Sequence, residues 1–385
     1  MANSMIAVIG VAAIIIVAAA VAVVLTQNDN SDNQGESERG GWYAWDPTVV
    51  EAKYAYISYT PSIVTQLCDF YEDVYGDLPS SNGISVSDIP DKYLMKYDSL
   101  ITGESNEGIT FTNYDISNDA VKTTTTMGKP GAVVAYAGSV VDTIYQLCCQ
   151  QTGEVPYSGD SDKAEGMLWD IVVAGSNSAT VKFEQRFGLD VPDTVTRLGE
   201  DASKMDVSLL SATCESLCNQ YGSVAVVMSQ SSLSSLSADM LNALRQIEEN
   251  TSTTFVLLVS GSISETLSIV DLLGGILDME SEADGLISQS QIDIYNVRQS
   301  VDKYLSEGGE RYTVYAETSS SKAMGSTTII QTLFDILEWD NIATESGYYV
   351  LGDEVVVDLK PDIICFYDPS QDDRTDDEKM RVDTI

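Results

Sequence analysis

An α/β protein behind a single membrane-crossing helix is what this sequence predicts, and three observations carry that reading. Short apolar, β-branched runs alternate with stretches of helical period along most of the 385 residues. The N-terminus holds an almost unbroken apolar run from Met5 to Leu25, with no charged side chain in residues 1–28. The chain beyond that run is long enough for two lobes, each with its own core.

The anchor is the first element. Twenty-one helical residues span about 30 Å, the hydrocarbon thickness of a bilayer. A cleaved signal peptide competes for residues 1–27. The missing N-terminal Lys or Arg, the long apolar run and the absence of a lipid-accepting Cys before Cys68 favour an uncleaved helix. Both readings send the rest of the chain outside the cell. Residues 28–50 form a polar, flexible stalk. An extension, 51–107, carries a strand–helix unit: YISYTPSIVTQLCDFYEDVYGDLP (56–79) matches VAYAGSVVDTIYQLCCQQTGEVP (134–156) at a constant shift. Each copy is followed by an Asp-led apolar strand, Asp98–Gly103 and Asp170–Gly175. Partial duplication and two ordinary strand–helix units both account for this.

Further strands are expected at Ala55–Ser58, Ala132–Ala137, Asp170–Ala174, Val224–Val227, Thr254–Val259, Tyr312–Ala316 and Asp362–Phe366. Between them lie helical periods. Ala238–Glu249 places Met240, Leu241, Leu244 and Ile247 on one face, and Ile263–Leu277 is a second such stretch.

Composition excludes several functions. Net charge is −39, from 59 acidic and 20 basic residues, so neither nucleic acid nor an anionic lipid surface is an expected partner. There is no histidine, which removes His-based zinc and haem ligation, Ser-His-Asp triads and His general bases. The six cysteines could pair outside a cell, but no spacing identifies partners, and no metal site is expected from them.

Four stretches from Gly108 onward stand out: ITFTNYDISNDAVKTTTTMGKPGAVVAYAGSVVDTIYQL (109–147), ESLCNQYGSVAVV (215–227), SISETLSIVDLLGGILDMESEADGLISQSQIDIYNVRQSVDKYL (262–305), and QTLFDILEWDNIATESGYYVLGDEVVVDLKPDIICF (331–366). Through these stretches the chain resembles the substrate-binding proteins of iron-siderophore and cobalamin ABC importers. The last is the most specific, with the turn Asp340–Ala343, the lone Glu354 and the run Leu359–Ile364. Asp142 stands where the family usually has Glu, and Gly222-Ser223 replaces Pro-Asp. The resemblance implies two Rossmann-like α/β lobes, 108–279 and a shortened 307–385, joined by one long helix over 280–306. It also implies a ligand cleft between the lobes, delivery to a permease and its ATPase, and no catalysis. One surface Glu per lobe would dock on the permease. Glu215 holds that place in the first lobe and Thr327 in the second.

Read without the family, the carboxyl ends of the strands are the places to look for a ligand. Gly138 and Ser139, opening a helix, offer backbone N–H groups to an anionic oxygen, or make an ordinary tight turn. Tyr136, just before them, would turn its ring or hydroxyl to the cleft mouth. Ser260, Ser262, Thr318 and Ser319 lie on later strand-end loops. Tyr348, Tyr349 and Tyr367 supply aromatic area suited to a large flat chelate. Only eight Arg occur, none clustered, which favours a neutral or positive chelate over an anionic one. The expected ligand is a corrinoid, haem or ferric siderophore, with no resident cofactor. A cell-surface protein that keeps the fold without uptake is the competing function.

Overall fold

The computed structural model describes residues 53–57, 83–117, 119–154, 156, 161–181, 190–259, 261–318 and 322–367. The expected anchor, the stalk and nearly all of the first repeat copy lie outside them. Among the described residues no helix is long and apolar enough to cross a membrane. The described residues divide into two compact units, a central one within 95–289 and a closing one that combines 53–57 and 83–94 with 290–367. Strand β1, Lys53–Ile57, belongs to the closing unit.

The central unit begins with an antiparallel sheet of β2 (Ile101–Ser105), β3 (Gly108–Tyr114) and β4 (Lys122–Met127), in that order. Gly108 sits at φ 120°, and a Cβ there would lie 2.0 Å from the Met127 carbonyl oxygen, so only glycine lets β3 start against β4. Five parallel strands come next: β5 (Ala132–Ala135), β6 (Val172–Gly175), β7 (Thr196–Arg197), β8 (Val224–Ser229) and β9 (Thr253–Leu258). They line up as β7-β6-β5-β8-β9. Every residue of β5 and β8 is buried, the pattern of a parallel sheet covered on both faces, which is why these strands read as unbroken apolar runs.

The covering helices are α1 (Gly138–Thr152), α2 (Asp162–Ile171), α3 (Val207–Tyr221), α4 (Ala238–Asn250) and α5 (Ile263–Leu277). Three of them start on side-chain caps. Asp206 accepts from the Ser208 and Leu209 amides, Ser237 from Met240, and Ser262 from Glu265. Asn113 joins the two sheets. Its amide nitrogen donates to the Phe255 carbonyl at 2.7 Å, and its oxygen accepts from the Leu257 amide at 2.9 Å. A side chain thereby completes the free edge of β9 as a neighbouring strand would.

Helix α6, Glu280–Ser306, runs 27 residues and carries the chain from the central unit into the closing one. There β10 (Thr313–Thr318), β11 (Ala323–Met324), β12 (Asp340–Asn341), β13 (Tyr348–Tyr349) and β14 (Ile363–Tyr367) form one sheet with β1. Its order is β1-β14-β10-β11-β13, with β12 also beside β10. Strands β1, β14 and β10 are parallel, and Ala55 stands opposite Cys365, which stands opposite Ala316. Helices α7 (Ile329–Leu337) and α8 (Asp353–Leu359) complete the unit around Tyr315, Ala323, Ala343 and Val356.

Two of the motif residues are structural here. Asn341 donates to the Met324 carbonyl and the Gln331 side chain and accepts from the Ala343 amide, all at 3.0 Å. The Asp362 carboxylate accepts from the backbone and hydroxyl of Thr313, both at 2.8 Å, which fixes where β14 meets β10.

All seven expected strands are present, with ends shifted by up to two residues. Asp170 and Ile171 are the exception, because they finish α2 and the strand begins only at Val172. The strand expected at Asp98–Gly103 is Ile101–Ser105, and it is antiparallel to β3, whereas its supposed counterpart β6 lies in the parallel sheet. The repeat therefore does not extend to the pairing of these strands. Nor does segment 51–107 form a sheet of its own among the described residues, since β1 joins β14 and β2 joins β3.

Candidate functional site

The strand order fixes where the central unit can hold a ligand. From β5 the chain moves outward through β6 to β7, then returns to β8 on the other side of β5 and continues to β9. The winding reverses between β5 and β8, and such a switch point is where open α/β sheets hold ligands, outside the carboxyl ends of the strands. The residues there are Tyr136–Ser139 after β5 and Gln230–Ser235 after β8.

The loop after β5 is packed against the loop after β6. The Ser176 amide donates to the Ala135 carbonyl at 3.0 Å, and its hydroxyl donates to the Tyr136 carbonyl at 3.3 Å. Ser176 and Ser178 hydroxyls are 2.9 Å apart. The amides of Asn177 and Ser178 continue to Gly199 and Glu200 beyond β7. A Cβ on Gly138 would lie 3.4 Å from the Ser178 carbonyl oxygen, an ordinary contact, so the hydrogen bonds rather than this glycine hold the two loops together. Ala137, the cap position of α1, gives no side-chain hydrogen bond, so the first turn of α1 keeps N–H groups that side chains do not satisfy. Gly138 and Ser139 are nonetheless buried. That geometry suits one anionic oxygen, such as a single group of a larger ligand would present.

Tyr136 does not turn toward a cleft mouth. Strand alternation puts Ala132, Val134 and Tyr136 on one face, among Leu210, Cys214, Val226 and Leu233. The ring is 3% exposed, and its hydroxyl finds no hydrogen-bond partner. Burial raises its pKa, and Cys214 and Asp206 add to the effect. Ser262 is also taken up. It caps α5, accepting from the Glu265 amide, and the Glu265 carboxylate folds back to receive the Gly261 amide at 2.6 Å and the Ser262 hydroxyl at 3.2 Å.

Of the residues expected in the closing unit, Tyr348 and Tyr349 are half-buried on β13, opposite Met324 and Ala323. The Tyr349 hydroxyl accepts from the Glu345 amide at 3.3 Å. Thr318 and Tyr367 end β10 and β14 side by side, in register. Ser260 and Ser319 lie outside the described residues. Glu215 is exposed on α3. Thr327 is exposed too, but its hydroxyl accepts from the Gly347 amide and lies 2.9 Å from that of Ser346.

A feature that sequence reasoning missed is a cavity of about 670 Å³ in the closing unit, lined by Arg311, Ser326, Asp335, Glu338, Trp339 and Asp340 among others. Arg311 pairs with Glu338 at 2.5 Å. None of the expected ligand residues lines it. Also missed was the state of Asp142, 1% exposed in α1, whose carboxyl burial pushes up to about 7 against a hydrogen bond from Gln146. Cys148, Cys149, Cys214 and Cys218 are free thiols, so no disulfide forms among these four. Cys214 and Cys218 share a helix but sit at different depths, one buried and one half-buried.

No family model and no curated protein matches the chain. Solved structures similar to it include periplasmic binding proteins and an ABC transporter substrate-binding protein. One is a possible iron-binding, periplasmic solute-binding protein of Staphylococcus epidermidis, 17% identical, covering 66% of this chain and 83% of its own, at TM-score 0.43. Another is the periplasmic haem-binding protein HutB of Vibrio cholerae, 16% identical, covering 61% and 75%, at TM-score 0.40. A third, an ABC transporter substrate-binding protein of Listeria monocytogenes, is 15% identical, covering 66% and 81%, at TM-score 0.40.

Proposed function

We propose that this chain is the extracytoplasmic substrate-binding component of an ABC importer, tethered by its N-terminal apolar helix, and that it captures a metal chelate: haem, a ferric siderophore or a corrinoid. The observation that carries the reading is the pairing of a sheet switch point beside Gly138 and Ser139 with one 27-residue helix leading into a second α/β unit. The sequence resemblance of 331–366, with Asn341 and Asp362 holding the closing sheet, supports it independently. Glu215, exposed on α3, is the proposed contact for the permease. Ligand contacts in the closing unit are proposed at the ends of β10 and β14.

Thermal unfolding with haem, a ferric hydroxamate siderophore or cobinamide tests this. Ligand at 100 times Kd stabilises by about 2.7 kcal/mol. A shift of several degrees with one of the three supports capture, and no shift with any of them sinks it. The second reading is a surface protein that keeps the fold without uptake. It is favoured by a specific observation: Tyr136 and Ser262, two expected ligand contacts, are consumed by the core and by a helix cap.

A further inference from the structure

We propose that residues 92–99 form a strap whose two ends are pinned to different units, so that α6 is not the only restrained crossing of the chain. The boundary between the units falls twice in the described chain, between Leu94 and Met95 and, inside α6, between Gln289 and Ser290. Just before the first crossing the chain is fastened to the second half of α6. Arg298, half-buried, donates to the Tyr93 carbonyl at 2.9 Å. The Tyr93 hydroxyl donates to Asp302, and its ring meets the Tyr295 ring edge-on with centroids 5.3 Å apart. Lys92 lies 3.6 Å from the same Asp302 carboxylate and 4.0 Å above the Tyr93 ring. Just after the crossing the chain is fastened to α5. The Ser264 hydroxyl donates to the Lys96 carbonyl at 2.6 Å, and the Ser99 hydroxyl donates to Asp271 at 2.5 Å.

Only two residues, Leu94 and Met95, lie between the Tyr93 and Lys96 anchors. The three steps from one anchor to the other span about 10 Å at full extension, so the anchors cannot part farther than that. A bend of α6 near Gln289–Ser290 that carried the anchors apart would have to break one set of contacts. The strap therefore stiffens α6 against such bending. This holds whether or not the chain captures a ligand.

The test is hydrogen exchange in the middle of α6, in the full chain. Inserting four Gly/Ser residues between Leu94 and Met95 slackens the strap while leaving both anchors in place. Exchange at residues 286–293 is expected to speed up at least tenfold. Tyr93→Phe removes one hydroxyl and should act in the same direction, about threefold, in a protein that folds normally. If exchange in that stretch stays within twofold of the parent in both variants, the anchors are local packing and the strap is refuted.

Discussion

Asp142→Asn should flatten the pH dependence of stability, and the size of the effect comes from one buried carboxyl. Asp142 is 1% exposed in α1 and accepts from Gln146 at 3.2 Å. Burial holds its pKa at about 7, while an unfolded Asp titrates near 3.9. Between those values the folded protein keeps a proton that the unfolded chain has released. Stability from this group is therefore fully present below about pH 4 and is lost as pH rises through about 7. Three pKa units correspond to about 4 kcal/mol, at 1.36 kcal/mol per unit, which is a ceiling for the loss. An amide carries no such proton. The variant should match the parent within about 1 kcal/mol at pH 4.5 and exceed it by a few kcal/mol at pH 8. Urea unfolding followed by circular dichroism at pH 4.5, 6 and 8 measures this. Taking the difference between the two proteins removes the background from other carboxyls, including Glu165 and Glu248, whose pKa values burial also raises. A difference that stays constant across the three pH values would refute the argument.

Asn113→Leu should cost about 2–4 kcal/mol, since it leaves the Phe255 carbonyl and the Leu257 amide buried without partners. Faster exchange of the Leu257 amide would accompany the loss in urea unfolding. Raising NaCl from 0.05 to 1 M should increase Tm by several degrees, because a net charge of −39 repels itself and salt screens it. A falling Tm would contradict that. Native protein at pH 8 should alkylate at Cys218 long before Cys148, Cys149 or Cys214, read by peptide mass spectrometry. Burial lifts the last three thiols to about 12, about 12 and about 11, so almost no thiolate is present and little of it is reachable.

The sequence alone marked the main parallel strands and the helices of clearest period, Ala238–Asn250 and Ile263–Leu277. Strands covered on both faces must be apolar throughout, so AVVA and VAVVMS announce themselves, and α5 was legible to its end residues because its period and its Ser cap are local. The small-residue loop at Gly138–Ser139 was legible for the same reason. Pairing was not. That β1 lies beside β14, more than three hundred residues away in sequence, depends on edges that carry no local mark. The same holds for side-chain direction. Tyr136 ends a strand, as read, but alternation from Ala132 sends it into the core. Ser262 sits on a strand-end loop, yet Glu265 claims it. Asn113 reads as one polar residue in a hairpin and becomes the clasp between two sheets only once β9 is beside it. Local periodicity reports the burial of an element, whereas partners and orientation are decided by groups brought together from afar, and only the tertiary structure supplies those.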